Sequence, residues 1–119
     1  SITAGTQEDL IVNVGDRVFF EFDSSELTVD AQATLDAQAA WLSQYPDTDI
    51  TIEGHCDERG TREYNLALGQ RRSESVASYL IANGIKRNQL SVKSYGEERP
   101  LSLGSNDSAW SKNRRVEIK

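Results

Sequence analysis

Residues 50–84 read ITIEGHCDERGTREYNLALGQRRSESVASYLIANG, and the period of the apolar positions changes once along them. Ile50, Ile52, Gly54 and Cys56 alternate with Thr51, Glu53 and His55, the period of two expected of a half-buried strand. From Thr61 the spacing lengthens. Leu68, Arg72, Val76 and Leu80 fall four apart and share one face of a helix running from about Thr61 to Asn83, which Gly84 can terminate in a left-handed conformation. Upstream, Thr28 can cap a second helix, with Asp30 in its first turn and Leu27, Ala31, Leu35 and Leu42 on one stripe, ended by Pro46-Asp47.

Outside these helices the pattern predicts short strands. Leu10, Val12 and Val14 alternate, Gly15-Asp16 signals a turn, and Val18, Phe20 and Phe22 alternate again, as two strands of a hairpin would. Leu90–Tyr95 reads as a strand, 96–110 as a long polar loop, and Arg114–Ile118 as a final strand. Residues 1–9 are small, polar and aperiodic, and read as a flexible N-terminal arm ahead of one domain over 10–119. Strands alternating with two long helices predict an α+β fold, an α/β sandwich in which both helices cover one face of the sheet.

The chain has 119 residues, 13 basic against 19 acidic side chains and a net charge of −6, with 37% apolar and 27% charged residues. That composition suits one globular domain. No apolar run approaches the ~18–20 residues a membrane-spanning helix needs. The acidic balance argues against nucleic acid as a partner, because phosphate contacts demand basic patches. Cys56 is the only cysteine, so neither an internal disulfide nor a multi-cysteine zinc site can form. His55-Cys56-Asp57 holds the residue types of a nucleophilic site, yet adjacent strand residues point to opposite faces, and Cys56 continues the buried stripe. Neither a catalytic set nor a cofactor or metal site is expected.

The anomaly is Arg72, set among core-facing residues. A guanidinium there needs a carboxylate or carbonyl partner, unless its stem is buried and its head reaches water. Arg71, about 100° around the helix, is expected in solvent. Asp57, at the end of the Ile50–Cys56 strand, is a candidate partner across the loop. Two readings stay open: a structural ion pair, or two charges held apart so that a zwitterionic ligand bridges them, its carboxylate on the arginine fork. Lys112, Arg114 and Arg115 form a basic cluster that either guards an edge strand or contacts an anion.

These residues carry a family resemblance. The block IEGHCDERGTREYNLALGQRR (52–72), with FFEFDSSEL (19–27), SYGEERP (94–100) and NRRVEI (113–118), resembles the outer-membrane protein A-like peptidoglycan-binding domain over roughly Val18 to Lys119. The resemblance implies a βαβαββ arrangement with a mixed sheet. It implies a non-catalytic site for the meso-diaminopimelate of peptidoglycan stem peptides, with Asp57 and Arg72 as its charged pair. Asn65 would bond the ligand or hold the loop, Phe22, Asp23 and Ser24 would line the pocket, Leu68 would form a wall, and Arg115 would contact the ligand or brace the site. It further implies a periplasmic β-propeller protein of the Tol system as a partner. Attachment to the outer membrane of a Gram-negative bacterium would run through an N-terminal lipid anchor outside this sequence. A wall-anchoring domain of a porin or flagellar stator, or a peptidoglycan hydrolase, are the alternatives.

Overall fold

The computed structural model describes residues 1–119, ordered α1 (Gln7–Asn13), β1 (Arg17–Phe19), α2 (Val29–Gln44), β2 (Ile50–His55), α3 (Arg62–Ala82), β3 (Leu90–Gly96), α4 (Asp107–Asn113) and β4 (Arg115–Ile118). The strands form one sheet in the order β1-β4-β2-β3, antiparallel except for the parallel pair β2–β3. That parallel pair follows from the long crossover through α3. The fold is the expected α+β sandwich with a mixed sheet.

Both long helices begin where a threonine can cap them. Thr28 Oγ1 accepts the Ala31 N–H at 3.0 Å and Thr61 Oγ1 that of Tyr64 at 3.1 Å. Leu35 and Leu42 of α2, Val76 and Leu80 of α3, and Val18, Ile52, Val116 and Ile118 of the sheet meet in one buried core.

Four local expectations are corrected. The segment from Leu10 to Val14 is not a strand: it belongs to α1, capped by Thr6, whose hydroxyl accepts the Asp9 N–H at 3.3 Å. Three alternating apolar residues imitate a strand. A seven-residue helix instead buries Leu10 and leaves Ile11 and Val12 exposed. This helix also takes in Gln7–Asp9 of the supposed arm, which Asp9 ties down by accepting the Trp41 Nε1–H at 2.9 Å. Strand β1 stops at Phe19, so Phe22 lies exposed in a loop instead of continuing the buried stripe. The polar stretch 96–110 contains the start of α4, capped by Asn106.

On the sheet face opposite the helices, register aligns Arg17, Glu117, Glu53 and Lys93 in one row, and Phe19, Arg115 and His55 in the next. Glu53, His55, Arg115 and Glu117 are nonetheless buried. His55 stacks on Tyr95, its ring nitrogens lack hydrogen-bond partners, and burial, aided by the nearby Arg115 charge, pushes its pKa down to about 4. The unfolded chain binds a proton near the ordinary histidine value while the folded one refuses it. Stability is therefore expected to fall as pH drops from about 6.5 to about 4, by a total of about 3 kcal/mol. Urea midpoints at pH 7 and pH 4.5 check this: His55→Gln should flatten most of that slope, and an unchanged slope would refute the assignment.

Candidate functional site

The loop after β2 and the first turns of α3 enclose a pocket of about 210 Å³ whose walls include Phe22, Asp23, Asp57, Arg59, Leu68 and Arg72. Two glycines let the strand and helix that carry its charges approach. A Cβ at Gly54 would lie 1.9 Å from the Gly69 carbonyl oxygen, so β2 and α3 touch backbone to backbone. Asp57 and Arg72 each follow one of these glycines by three residues.

Arg72 is fully buried and is held by backbone. Its Nε donates to the Ser24 carbonyl at 2.8 Å, Nη1 to that of His55 at 2.9 Å, and Nη2 to that of Glu21 at 3.1 Å. Its partners are therefore carbonyls of two separate segments, and no ion pair joins it to Asp57. Arg72 fastens the 21–24 loop to the end of β2, which makes it structural before it is anything else. Burial lowers its pKa, with the nearby Asp57 charge acting in the opposite sense.

Asp57, also buried, is bonded to two other arginines. Its Oδ1 accepts the Arg59 N–H at 3.0 Å and Nε–H at 3.2 Å; its Oδ2 accepts Arg59 Nη2 at 2.8 Å and Arg114 Nη1 at 3.5 Å. Burial alone would raise the carboxyl's pKa, but these bonds outweigh it and hold the group below its ordinary value. Arg114 is itself fixed by Nε donating to the Phe20 carbonyl at 2.8 Å. Two guanidiniums thus bond one carboxylate, and the pocket walls carry both signs of charge, Asp23 and Asp57 beside Arg59 and Arg72.

The remaining residues shape the loop. Asn65 Nδ2 donates to the carbonyl of Arg59 at 3.1 Å and to Glu97 at 3.0 Å, so its amide is spent on bracing. Cys56 donates its thiol to the Asn65 carbonyl at 3.2 Å, and burial pushes its pKa up to about 11. Asp23 adopts φ +53°, a left-handed conformation that aspartate tolerates at some cost, and accepts a hydrogen bond from the Tyr64 hydroxyl.

Of the residues expected in the site, Phe22, Asp23, Asp57, Asn65, Leu68 and Arg72 do converge on the pocket. Ser24 stands behind it, contributing only the carbonyl that holds Arg72. Arg115 is corrected: it lies in the sheet face turned away from the helices, paired with Glu117 and donating to the Arg99 carbonyl at 3.0 Å. Strand alternation separates it from the pocket, and its neighbour Arg114, at the end of α4, reaches Asp57 instead. Arg59 and Arg114 are site residues that periodicity did not single out; the basic cluster at 112–115 and the DERG turn were the available signals. A wider cleft of about 520 Å³ between β1 and α2 is a weaker candidate, since its Asp30 and Lys112 are exposed.

Residues 19–114 match the OmpA family. The chain is 56% identical over 114 residues to the peptidoglycan-associated lipoprotein of Rhizobium meliloti, covering 96% of this chain and 65% of that protein. It is 55% identical over 114 residues to the protein of the same name from Brucella melitensis, covering 96% and 68%. The chain thus spans 65% and 68% of the length of these two relatives. The crystal structure of the peptidoglycan-associated lipoprotein from Burkholderia pseudomallei superposes with a TM-score of 0.84 at 42% identity, covering 87% of each chain. The C-terminal domain of Helicobacter pylori MotB superposes with a TM-score of 0.81 at 28% identity, covering 87% of this chain and 82% of that one. On sequence and fold together, this chain belongs to the OmpA family.

Proposed function

We propose that the domain binds peptidoglycan without chemistry, at the free zwitterionic end of meso-diaminopimelate in the stem peptide, and so ties the outer membrane to the cell wall. The observation that carries this reading is a pocket of amino-acid-terminus size with a buried carboxylate, Asp57, and guanidiniums around it that are not exhausted by it. The names of its relatives support the polymer, and the presence of both carboxylates and guanidiniums in the pocket walls supports a zwitterionic ligand. A catalytic reading is weaker, because the Cys56 thiol is held far from ionisation and His55 lies on the other face of the sheet. The higher identity to lipoproteins than to MotB favours a lipid-anchored protein over other wall-anchoring proteins. On this reading the protein sits at the periplasmic face of the outer membrane, and its second partner is the β-propeller of the Tol system.

Cosedimentation with purified sacculi tests it. Asp57→Asn, with folding checked by circular dichroism, should weaken retention by at least ~30-fold, the lower end for removing one partner of a buried charged hydrogen bond. A stem peptide bearing meso-diaminopimelate should compete, and the same peptide bearing L-lysine, whose side chain ends in an ammonium alone, should not. Equal competition by both, or full retention of the variant, would end the reading.

A further inference from the structure

Strand β1 lies at one edge of the sheet, bonded to β4 on one side only. The Phe20 N–H donates to the Arg114 carbonyl at 3.0 Å, and the Ile118 N–H to that of Asp16 at 2.8 Å. Alternation then turns the main-chain groups of Asp16, Val18 and Phe20 toward β4 and those of Arg17 and Phe19 away from it. No hydrogen bond within the chain reaches those outward groups. They border the cleft of about 520 Å³ whose other wall is the start of α2, built there of small residues, Ala31 and Thr34, with the exposed Asp30 beside them. On the open sheet face, Phe19 keeps 46% of its surface exposed and the Arg17 side chain 34%. A bare edge flanked by an exposed ring is a template for another strand.

We propose that β1 is a self-pairing surface: two copies of this chain join their sheets edge to edge, antiparallel, about a twofold axis through Val18. The register selects a second copy as the occupant. On that axis Arg17 of each copy stands opposite Phe19 of the other. Both residues present their free N–H and C=O outward, so each such pair exchanges two hydrogen bonds. A slip of one residue would set Arg17 against Val18, whose groups are spent on β4. The side chains fit the same register. The Arg17 guanidinium reaches the Phe19 ring of the second copy, and the exposed Glu21 becomes its diagonal neighbour of opposite charge. On the other face, the small residues of α2 leave room for two helices side by side. Such a contact is isologous, closes at two copies and covers the bare edge of both. With only Arg17–Phe19 in the strand, the pair is weak.

Sedimentation equilibrium of the full chain from about 10 µM to about 1 mM tests it, together with amide hydrogen exchange at both ends of that range. A monomer–dimer equilibrium with a Kd of about 0.2 mM or tighter is expected. Exchange at the Arg17 and Phe19 amides should slow at least about threefold at the higher concentration, while that of Val18, already bonded to β4, stays the same. Phe19→Pro removes an outward donor and the ring but no hydrogen bond to β4, and should weaken the dimer at least about tenfold. Phe19→Thr, which keeps the donor and loses the ring, should fall between. A dimer that neither variant weakens uses another surface and overturns the assignment. A chain still monomeric at about 1 mM also overturns it, and leaves the edge to an extended segment of another protein. Should Phe19→Pro fail to fold, the exchange rates of the unaltered chain decide: no slowing at Arg17 and Phe19 refutes the pairing.

Discussion

Arg72→Ala loses about 3–5 kcal/mol of folding stability, the range for removing one side of a buried charged network. The substitution leaves the carbonyls of Glu21, Ser24 and His55 without their donor and opens a cavity where the largest fully buried side chain stood. A domain of this size has about 5–15 kcal/mol in total, so at least about a fifth disappears. The melting temperature should fall by roughly 10–20 °C. Arg72→Lys, which restores a charge and one or two bonds, should recover part of it. A midpoint within about 2 °C of the parent would show that the three carbonyls find other donors. The patterning of α3 leaves a structural and a ligand-binding arginine both open; the hydrogen bonds establish the structural role, with carbonyls instead of Asp57 as partners. Loss of wall binding in Arg72→Ala therefore says nothing about recognition unless a melting curve accompanies it.

Gly54→Ala is the second large effect. The added methyl would meet the Gly69 carbonyl oxygen at 1.9 Å and Ser73 Oγ at 2.5 Å, and a carbonyl within a helix cannot rotate away. Strand β2 and helix α3 must separate. We expect a loss of about 3–5 kcal/mol, at the upper end for overpacking a core, together with lost sacculus binding, because the separation also parts Asp57 from Arg72. Gly69→Ala is the milder comparison. Its methyl meets the tip of Ser94 at 2.2 Å and a backbone oxygen only at 3.1 Å, and alanine improves helix propensity by about 1 kcal/mol. Urea denaturation of both variants checks the ranking; equal midpoints would mean that the strand yields as easily as a serine hydroxyl.

What the sequence made legible was what local rules govern. The threonine caps, the change of period at Thr61 and the alternation through β2 each depend on neighbours a few residues apart, and those elements stand where expected. The short helices were hidden for opposite reasons: α1 by a coincidental alternation of Leu10, Val12 and Val14, α4 by a polar segment whose only mark is the Asn106 cap. Patterning flagged Arg72 and paired it with Asp57 as a possibility. It could not find the actual partners, since every residue carries a carbonyl and nothing in composition marks the three that matter. Arg114 was equally out of reach, because it approaches Asp57 from 57 residues away. The buried state of His55 arises from side chains folding over an open sheet face, a property of packing that period-two alternation reports as solvent.

One feature of the pocket floor bears on where such a domain can work. Cys56 keeps its proton far above neutral pH, donates it to a carbonyl and is almost wholly enclosed. Thiols attack disulfides only as thiolates, so small oxidants and mixed-disulfide formers find no handle there. A lone sulfur beneath a recognition site is ordinarily a place where redox chemistry could cap the site or cross-link two copies. Here that atom is enclosed and stays protonated, so an oxidant reaching the pocket would leave it unaltered.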